Sequence, residues 1–155
     1  MFFLPNFAVE IITIFMIQNL ENCKCVLIVD NVLPTGEQAN IAAVLAMTIG
    51  AKNNMIVGRD LPDADNTIHH GITQLNIPVL TACSEKIREI HDAACMDERV
   101  FIVDFTSTAQ ESRSYDEYTS KLAITPGQVL RYIGIGILGD KKTVNRFSGN
   151  LKLLR

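Results

Sequence analysis

The sequence lacks the cysteine and histidine patterns that hold structural metals. Its four cysteines include no Cys-x-x-Cys pair, and its three histidines include no His-x-x-x-His pair that would complete a zinc site. The chain has 155 residues. A chain of this size buries roughly 70 % of its unfolded surface, so it needs neither a disulfide nor a metal to fold. We therefore predict reduced thiols, no metal site and a cytoplasmic protein.

Long apolar runs are also missing. The apolar run at residues 11–17 is interrupted by Thr13 and is shorter than the roughly 18 residues of a membrane span. The chain start lacks the positive charge and the small-residue cleavage site of a signal peptide. We interpret residues 1–20 as an N-terminal extension. It is either an apolar arm that packs on the body or on a partner, or the product of a mis-called start, with Met16 as the true beginning. Residues 21–155 then form a single domain.

The chain as a whole has no excess of basic charge. Its 14 Lys and Arg residues against 17 Asp and Glu residues give a net charge of −3 and a pI near 5.6, whereas a nucleic-acid-binding domain has a pI above roughly 9. Residues 131–155 nevertheless carry +5, and residues 1–130 carry −8. The basic segment either faces a phosphate-bearing partner or solvates a terminal helix. We expect weak, salt-sensitive RNA binding at most, and no membrane partner.

Apolar segments alternate with helical patterns along the rest of the chain. Residues 25–29 form a continuous, largely β-branched run, which is typical of a central strand buried on both faces. Similar runs predict further strands at residues 77–82, 100–104 and 129–138. Because strands that alternate with helices indicate an α/β domain, we expect a single four-stranded, mostly parallel mixed sheet with helices on both faces.

Capping signals mark the ends of the predicted helices. Thr35, with Gln38 three residues later, is typical of a capping box at the start of the first helix, and Gly50 is placed as its C-terminal glycine. The other predicted helix starts are Ser84, then Thr106 or Ser107 for a helix that runs to residue 122, and Asp140 for a last helix that ends at Gly149.

A G-x-G-x-x-G motif lies at Gly134, Gly136 and Gly139, after a predicted strand and before a predicted helix. A dinucleotide site needs an acidic residue roughly 20 positions further on, and the chain ends before a second βαβ half can follow. We therefore predict no cofactor, and interpret these glycines as places where a neighbouring segment approaches closely. Lys141, in the first turn of the last helix, favours an anion there and is a candidate binding residue.

The polar stretch at residues 60–70 holds three aspartates and two histidines. Their spacing is not that of a calcium loop. The stretch is a metal loop, a substrate loop without metal, or an ordinary polar loop, and long loops are often functional. We keep His70 as a candidate substrate-binding residue. No G-x-S-x-G elbow or Cys–His signature is present, so a catalytic triad is not predicted.

Motifs at both ends of this domain carry a resemblance to a known family. The segments KCVLIVD at residues 24–30 and LPTG at 33–36, with the alanine-rich helix after them, resemble the start of peptidyl-tRNA hydrolase type II. Pro126-Gly127, IGIG at residues 133–136 and SGNLKLL at 148–154 resemble its closing pattern. As a whole the domain is most similar to a bacterial domain-of-unknown-function family with that fold. The resemblance implies a peptidyl-tRNA hydrolase type II-like fold and a homodimer.

The resemblance also implies site residues. Asp104 matches the aspartate that ends the family's third strand, and Thr108 matches a threonine four residues later. The family's lysine after the loop glycine is Glu37 in this chain, which reverses the charge. A lysine there would attract a tRNA phosphate or a developing oxyanion, and a glutamate repels both. A site repurposed around Asp104 and Glu37 would use these two carboxylates as an acid–base pair.

We expect the site where loops leave the C-terminal ends of the strands. The predicted catalytic residues are Asp104, Thr108 and Glu37, and the predicted substrate-binding residues are Asp30, Gly36, His70 and Lys141. Three functions fit this site. The protein binds or hydrolyses a small molecule, it is a peptidyl-tRNA hydrolase without the lysine, or it is a non-catalytic, homodimeric interaction module.

Overall fold

The computed structural model describes residues 19–155, which contain seven strands and five α-helices. The strands are β1 (Cys23–Asp30), β2 (Leu61–Pro62), β3 (Ile68–His69), β4 (Val79–Ala82), β5 (Val100–Thr106), β6 (Tyr132–Asp140) and β7 (Lys152–Leu153). The helices are α1 (Thr35–Lys52), α2 (Ser84–Cys95), α3 (Ser107–Gln110), α4 (Tyr115–Ala123) and α5 (Lys141–Ser148). The predicted α/β class is confirmed.

The main sheet has five strands in the order β5-β6-β1-β4-β7, and only β1 and β4 run parallel. The predicted four-stranded, mostly parallel sheet is therefore wrong in both respects. After β5 the chain passes through α3 and α4, and α4 has nine residues. A helix of that length spans about 14 Å, whereas β5 spans about 23 Å. The chain therefore does not return along the sheet, and β6 starts at the end where β5 stops, antiparallel to it.

Within the main sheet, β7 is the strand that the sequence did not predict. Its two residues pair with β4, Leu80 opposite Leu153 and Thr81 opposite Lys152. A two-residue strand shows no period-two pattern, so only the folded sheet reveals it.

β1 and β6 form the buried centre of the sheet, with α1 on one face and α2 and α5 on the other. The glycines of β6 let α1 approach closely. A Cβ added at Gly134 would lie 2.3 Å from Ile41 Cγ2, and one at Gly136 would lie 2.6 Å from Ile49 Cδ1. The interpretation of this motif as a site of close packing is confirmed.

The predicted capping box of α1 is wrong. Thr35 lies inside the helix, Pro34 precedes it, and no side chain in the described part of the chain caps the first turn. Gln38 is buried and its Nε2 donates instead to the Asp30 carbonyl at 2.9 Å. α1 also continues past Gly50 to Lys52, so Gly50 is not its C-terminal glycine.

The other predicted helix starts have mixed outcomes. Asp140 caps α5, its Oδ2 accepting from Thr143 N at 2.9 Å, as predicted. Cys83, not Ser84, precedes α2. A single helix is predicted from residues 106–107 to 122, but this segment forms two helices. Thr106 caps the start of α3, and Ser114 caps the start of α4.

The polar stretch before β4 is a two-stranded ribbon, β2 paired with β3, and not an irregular loop. One Asp63 oxygen accepts from the backbone N–H groups of Asp65 and Thr67, each at 2.9 Å. Asn66 has φ 64°, a left-handed conformation that asparagine tolerates in tight turns.

The predicted N-terminal extension lies outside the described residues except for Asn19 and Leu20, and the predicted start at Met16 lies outside them too. Within residues 19–155, no helix has both the length and the apolar character that crossing a bilayer requires.

Candidate functional site

Asp30 ends β1 in the interior and is committed to structural contacts. Its Oδ2 accepts from Arg131 Nη2 at 2.8 Å, and its Oδ1 accepts from Val32 N at 3.2 Å. The side chain of Asp30 is only 1 % exposed, and that of Arg131 is 51 % exposed. The ion pair connects the end of β1 to the residue before β6. The predicted binding residue Asp30 therefore stabilises the fold at the C-terminal end of β1, where we expect the site.

Gly36 and Glu37 lie in the first turn of α1, where the structure ties Glu37 to α3. Gln110 Nε2 donates to a Glu37 carboxylate oxygen. Thr108 lies in α3, and its carbonyl accepts from Ser112 Oγ at 2.7 Å. Glu37 therefore belongs to the contact between α1 and α3, whereas the bond of Thr108 is local to α3 and the loop after it.

Asp104 has a different partner from Glu37. Successive side chains of a strand point to opposite faces. Val103 and Phe105 pack on the α1 face of the sheet, and Asp104 faces α2. Its Oδ2 lies 3.5 Å from His91 Nε2. The structure thus does not pair the two carboxylates that were expected to act together.

His91 links Asp104 to a cluster on α2. Its Nδ1 lies 2.9 Å from Asp92 Oδ1, and its ring stacks on Tyr132 with centroids 4.0 Å apart. The guanidinium carbon of Arg88 lies 4.8 Å from the centre of the same tyrosine ring. Burial acts to lower the pKa of His91, but hydrogen bonds and charge from Asp104 and Asp92 outweigh it, so that pKa lies above its usual value.

Cys95 completes an arrangement that looks like a catalytic triad. Its Sγ lies 3.6 Å from His91 Nε2, opposite the contact of His91 with Asp92. However, burial and the charges of Asp104 and Asp92 raise the pKa of the Cys95 thiol. The thiol therefore stays protonated at neutral pH, and the geometry does not supply an activated nucleophile.

His91 is not among the site residues predicted from the sequence. A signal for it was present, because His91 and Cys95 are four residues apart and such pairs lie side by side on a helix. The link to Asp104 joins residues 13 positions apart in different elements and needs the packing of α2 on β5.

A hollow of about 410 Å³ lies between β5, α1 and the two helices after β5. We call it the edge hollow. Its lining residues are Val44, Thr48, Val103, Asp104, Phe105, Ala109, Ser112, Arg113, Ser114, Tyr115 and Tyr118. Burial, followed by the charge of Asp104, raises the pKa of Tyr118. The residues that line the edge hollow thus include apolar side chains, several hydroxyl-bearing residues, one aspartate and one arginine, which is the usual make-up of a small-molecule site.

Two predicted binding residues lie away from the edge hollow. His70 is exposed on the ribbon, and its Nδ1 lies 3.1 Å from Asp60 Oδ2. Lys141 borders a separate cavity of about 740 Å³ near Lys24 and Asn145. Of the predicted site residues, only Asp104 lines the edge hollow.

Comparisons with known proteins agree on an uncharacterised domain family. The model of a family described as "Protein of unknown function (DUF2000)" matches residues 23–155. No curated protein matches the sequence. The solved structure of the protein of unknown function Atu0240 from Agrobacterium tumefaciens strain C58 is similar, with a TM-score of 0.77 and 17 % identity over 86 % of this chain and 98 % of that one. At this identity the similarity shows a common fold alone.

Proposed function

For this chain, which belongs to the family described as protein of unknown function (DUF2000), we propose a binding function that follows from the edge hollow. The protein binds a small organic ligand that carries both a positive and a negative group. The observation that supports this proposal is that Asp104 and Arg113 line the same cavity. Opposite charges at one apolar cavity favour a zwitterion, because each charged group of the ligand gains a partner.

Both charged groups have capacity for a ligand. The Asp104 side chain is 41 % exposed, and its one ionic contact within residues 19–155, to His91, is long at 3.5 Å. Arg113 is exposed, and within residues 19–155 only its backbone N–H has a hydrogen-bond partner, Glu117. A guanidinium offers several donors in a fixed planar arrangement, which suits a carboxylate.

The hydroxyls around the edge hollow favour donors on the ligand. Thr48 Oγ1 donates to the Val44 carbonyl at 3.0 Å, and Ser112 Oγ donates to the Thr108 carbonyl at 2.7 Å. Because each hydroxyl donates its single hydrogen to a carbonyl, only its lone pairs are left for a ligand, and these accept hydrogen bonds. A ligand with an ammonium or amide N–H group satisfies these acceptors.

The test is a calorimetric titration of the protein with free amino acids, their amides and their N-acetyl derivatives. We expect the free zwitterions to bind best. Asp104→Asn and Arg113→Gln should each weaken binding by about tenfold, the effect of losing one charged contact. Asp116→Asn and Lys52→Gln, which change exposed charges outside the lining, are the controls. Binding that survives both lining substitutions would place the ligand elsewhere.

His91 does not line the edge hollow, but it contacts Asp104, which does. This contact favours a second function, hydrolysis of an ester or amide that reaches both residues. Hydrogen bonds and charge from Asp104 and Asp92 raise the pKa of His91, which favours its protonated form. A protonated imidazole can donate its proton to the leaving group while a water molecule attacks the carbonyl carbon of the ester or amide. Cleavage of aminoacyl esters should then fall in both His91→Gln and Asp104→Asn. Peptidyl-tRNA cleavage is the form of this reaction that the family resemblance implies, and wild type and Glu37→Lys assayed side by side would test it. A homodimer and a cytoplasmic location remain proposals.

A further inference from the structure

β5 forms one edge of the main sheet, and the hydrogen-bonding pattern shows which of its backbone groups face outward. The N–H of Asp140 donates to the Arg99 carbonyl, and Val100 stands opposite Gly139. In an antiparallel pair the bonded residues alternate. The backbone N–H and C=O groups of Phe101, Val103 and Phe105 therefore form the hydrogen bonds to β6.

Ile102 and Asp104 consequently direct their N–H and C=O groups away from the sheet. Within residues 19–155, no backbone or side-chain group bonds them from that side. An edge strand with such a row of unpaired groups is a template for another strand.

Cavities border β5 along its length. The edge hollow takes in residues 103–105, and a second cavity of about 450 Å³ takes in residues 100–102 together with the end of α2 and the loop after it. A peptide that adds to a sheet edge gains affinity from main-chain bonds and specificity from pockets for its alternate side chains.

Charge along this edge indicates the chemistry of the peptide. Glu98 lines the second cavity, and it has no ion-pair partner in the described part of the chain. Its neighbour Asp97 is neutralised by Arg99 at 2.7 Å and Arg146 at 2.6 Å. Asp104 is the acidic residue at the other end, and it lines the edge hollow together with Arg113. This edge therefore suits a peptide with basic side chains near Glu98 and Asp104 and with its carboxyl terminus near Arg113.

We propose that β5 binds an extended peptide with alternating apolar and basic residues as an additional strand. This inference rests on the proposed binding function, and it makes the ligand of the edge hollow a peptide segment.

The probe is a fluorescein-labelled hexapeptide that alternates valine and lysine and has a free carboxyl terminus, and its binding is followed by fluorescence anisotropy. A second probe has glutamate in place of lysine. Two more carry N-methyl groups on alternate amides, in the two possible frames. We expect the lysine probe to bind and the glutamate probe not to bind. N-methylation should abolish binding in one frame only, because only every second amide faces β5.

Ile102→Pro removes the outward N–H of β5 and leaves its ladder with β6 intact, since proline is tolerated at such edge positions. Ile102→Ala removes the same side chain but keeps that N–H. We expect about tenfold weaker binding of the lysine probe to Ile102→Pro than to Ile102→Ala, the effect of one lost hydrogen bond. Should Ile102→Pro fail to fold, the two N-methylated probes on the wild type decide the question.

Three results would overturn the inference. Absence of binding to the wild type, or equal loss in both N-methyl frames, excludes strand addition. If Asp104→Asn loses the probe while Ile102→Pro retains it, the edge hollow binds its ligand without a strand, and only the proposed function survives. If the protein sediments as a dimer that Ile102→Pro dissociates and no probe binds, a second copy occupies the edge.

Discussion

Asp30 is the one charged residue that lies fully in the interior of residues 19–155. Its partner Arg131 reaches it from the surface. Removal of one partner from a buried ion pair leaves the other charge uncompensated, which typically costs about 3–5 kcal/mol. Because Arg131 is half exposed, water compensates in part, and we expect Arg131→Gln to lower the free energy of unfolding by about 2–3 kcal/mol.

Urea denaturation checks this prediction. Arg113→Gln is the matched control, because Arg113 is exposed and pairs with no buried group, so its free energy of unfolding should change by less than about 0.5 kcal/mol. Equal stability of the two variants would mean that Asp30 tolerates burial without its arginine.

His91 predicts a pH dependence of stability. Its folded pKa lies above the usual value, which is also the value in the unfolded chain. The stabilisation is therefore fully present below about pH 6.5 and is lost as pH rises through the folded pKa. We expect the stability difference between the wild type and His91→Gln to be larger at about pH 6 than at about pH 9. Chemical denaturation of both proteins at these two pH values checks it, and a difference that grows with pH would contradict it.

At the scale of elements, the packing of α1 on β6 predicts opposite effects for two glycines. The Cβ of Gly134→Ala would meet the β-branched Ile41, a stiff side chain, at 2.3 Å. We expect a loss of about 1–3 kcal/mol, as for other overpacked cores. Gly36 lies in the first turn of α1 with nothing within 4 Å of an added Cβ. Gly36→Ala should be neutral or stabilise the protein by up to about 1 kcal/mol. Thermal unfolding of both variants checks the pair, and similar melting temperatures would contradict the close packing.

The same elements show what local sequence signals can predict. β1 was predictable because a short, continuous, β-branched apolar run favours a buried strand over a helix, and the Asp140 cap because its carboxylate bonds within three residues. The antiparallel direction of β6 was not predictable, since it depends on the distance that α3 and α4 span between the end of β5 and the start of β6. Asp104 was found through a motif, but its contact with His91 depends on the packing of two elements that no local pattern connects. The outward groups of Ile102 and Asp104 follow from the register with β6, which the sequence does not state.

At the scale of the molecule, the structure limits the RNA binding that charge alone suggests. Residues 131–155 carry six basic residues. Arg131 is paired with Asp30, and Arg146 with Asp97. Four remain without an ion-pair partner in the described part of the chain, namely Lys141, Lys142, Lys152 and Arg155. The rest of the chain has a net charge of −8 and repels phosphates.

Four contacts give a log–log salt slope between about −3 and about −4, since each neutralised phosphate contributes about −0.7 on a single strand and about −0.9 on a duplex. We therefore expect weak RNA binding that disappears between about 50 and 200 mM salt. Fluorescence anisotropy with labelled tRNA over that range checks it.

A double variant, Lys141→Glu with Lys142→Glu, should remove about half of the slope, because it removes two of the four contacts. Asp65→Asn with Asp116→Asn changes two exposed acidic residues outside the basic segment and is the control. Tight binding at physiological salt, or a slope clearly steeper than about −4, would show that the phosphate-binding surface extends beyond the C-terminal segment. This result would also favour the hypothesis that the protein is a peptidyl-tRNA hydrolase over the hypothesis that it binds a small ligand.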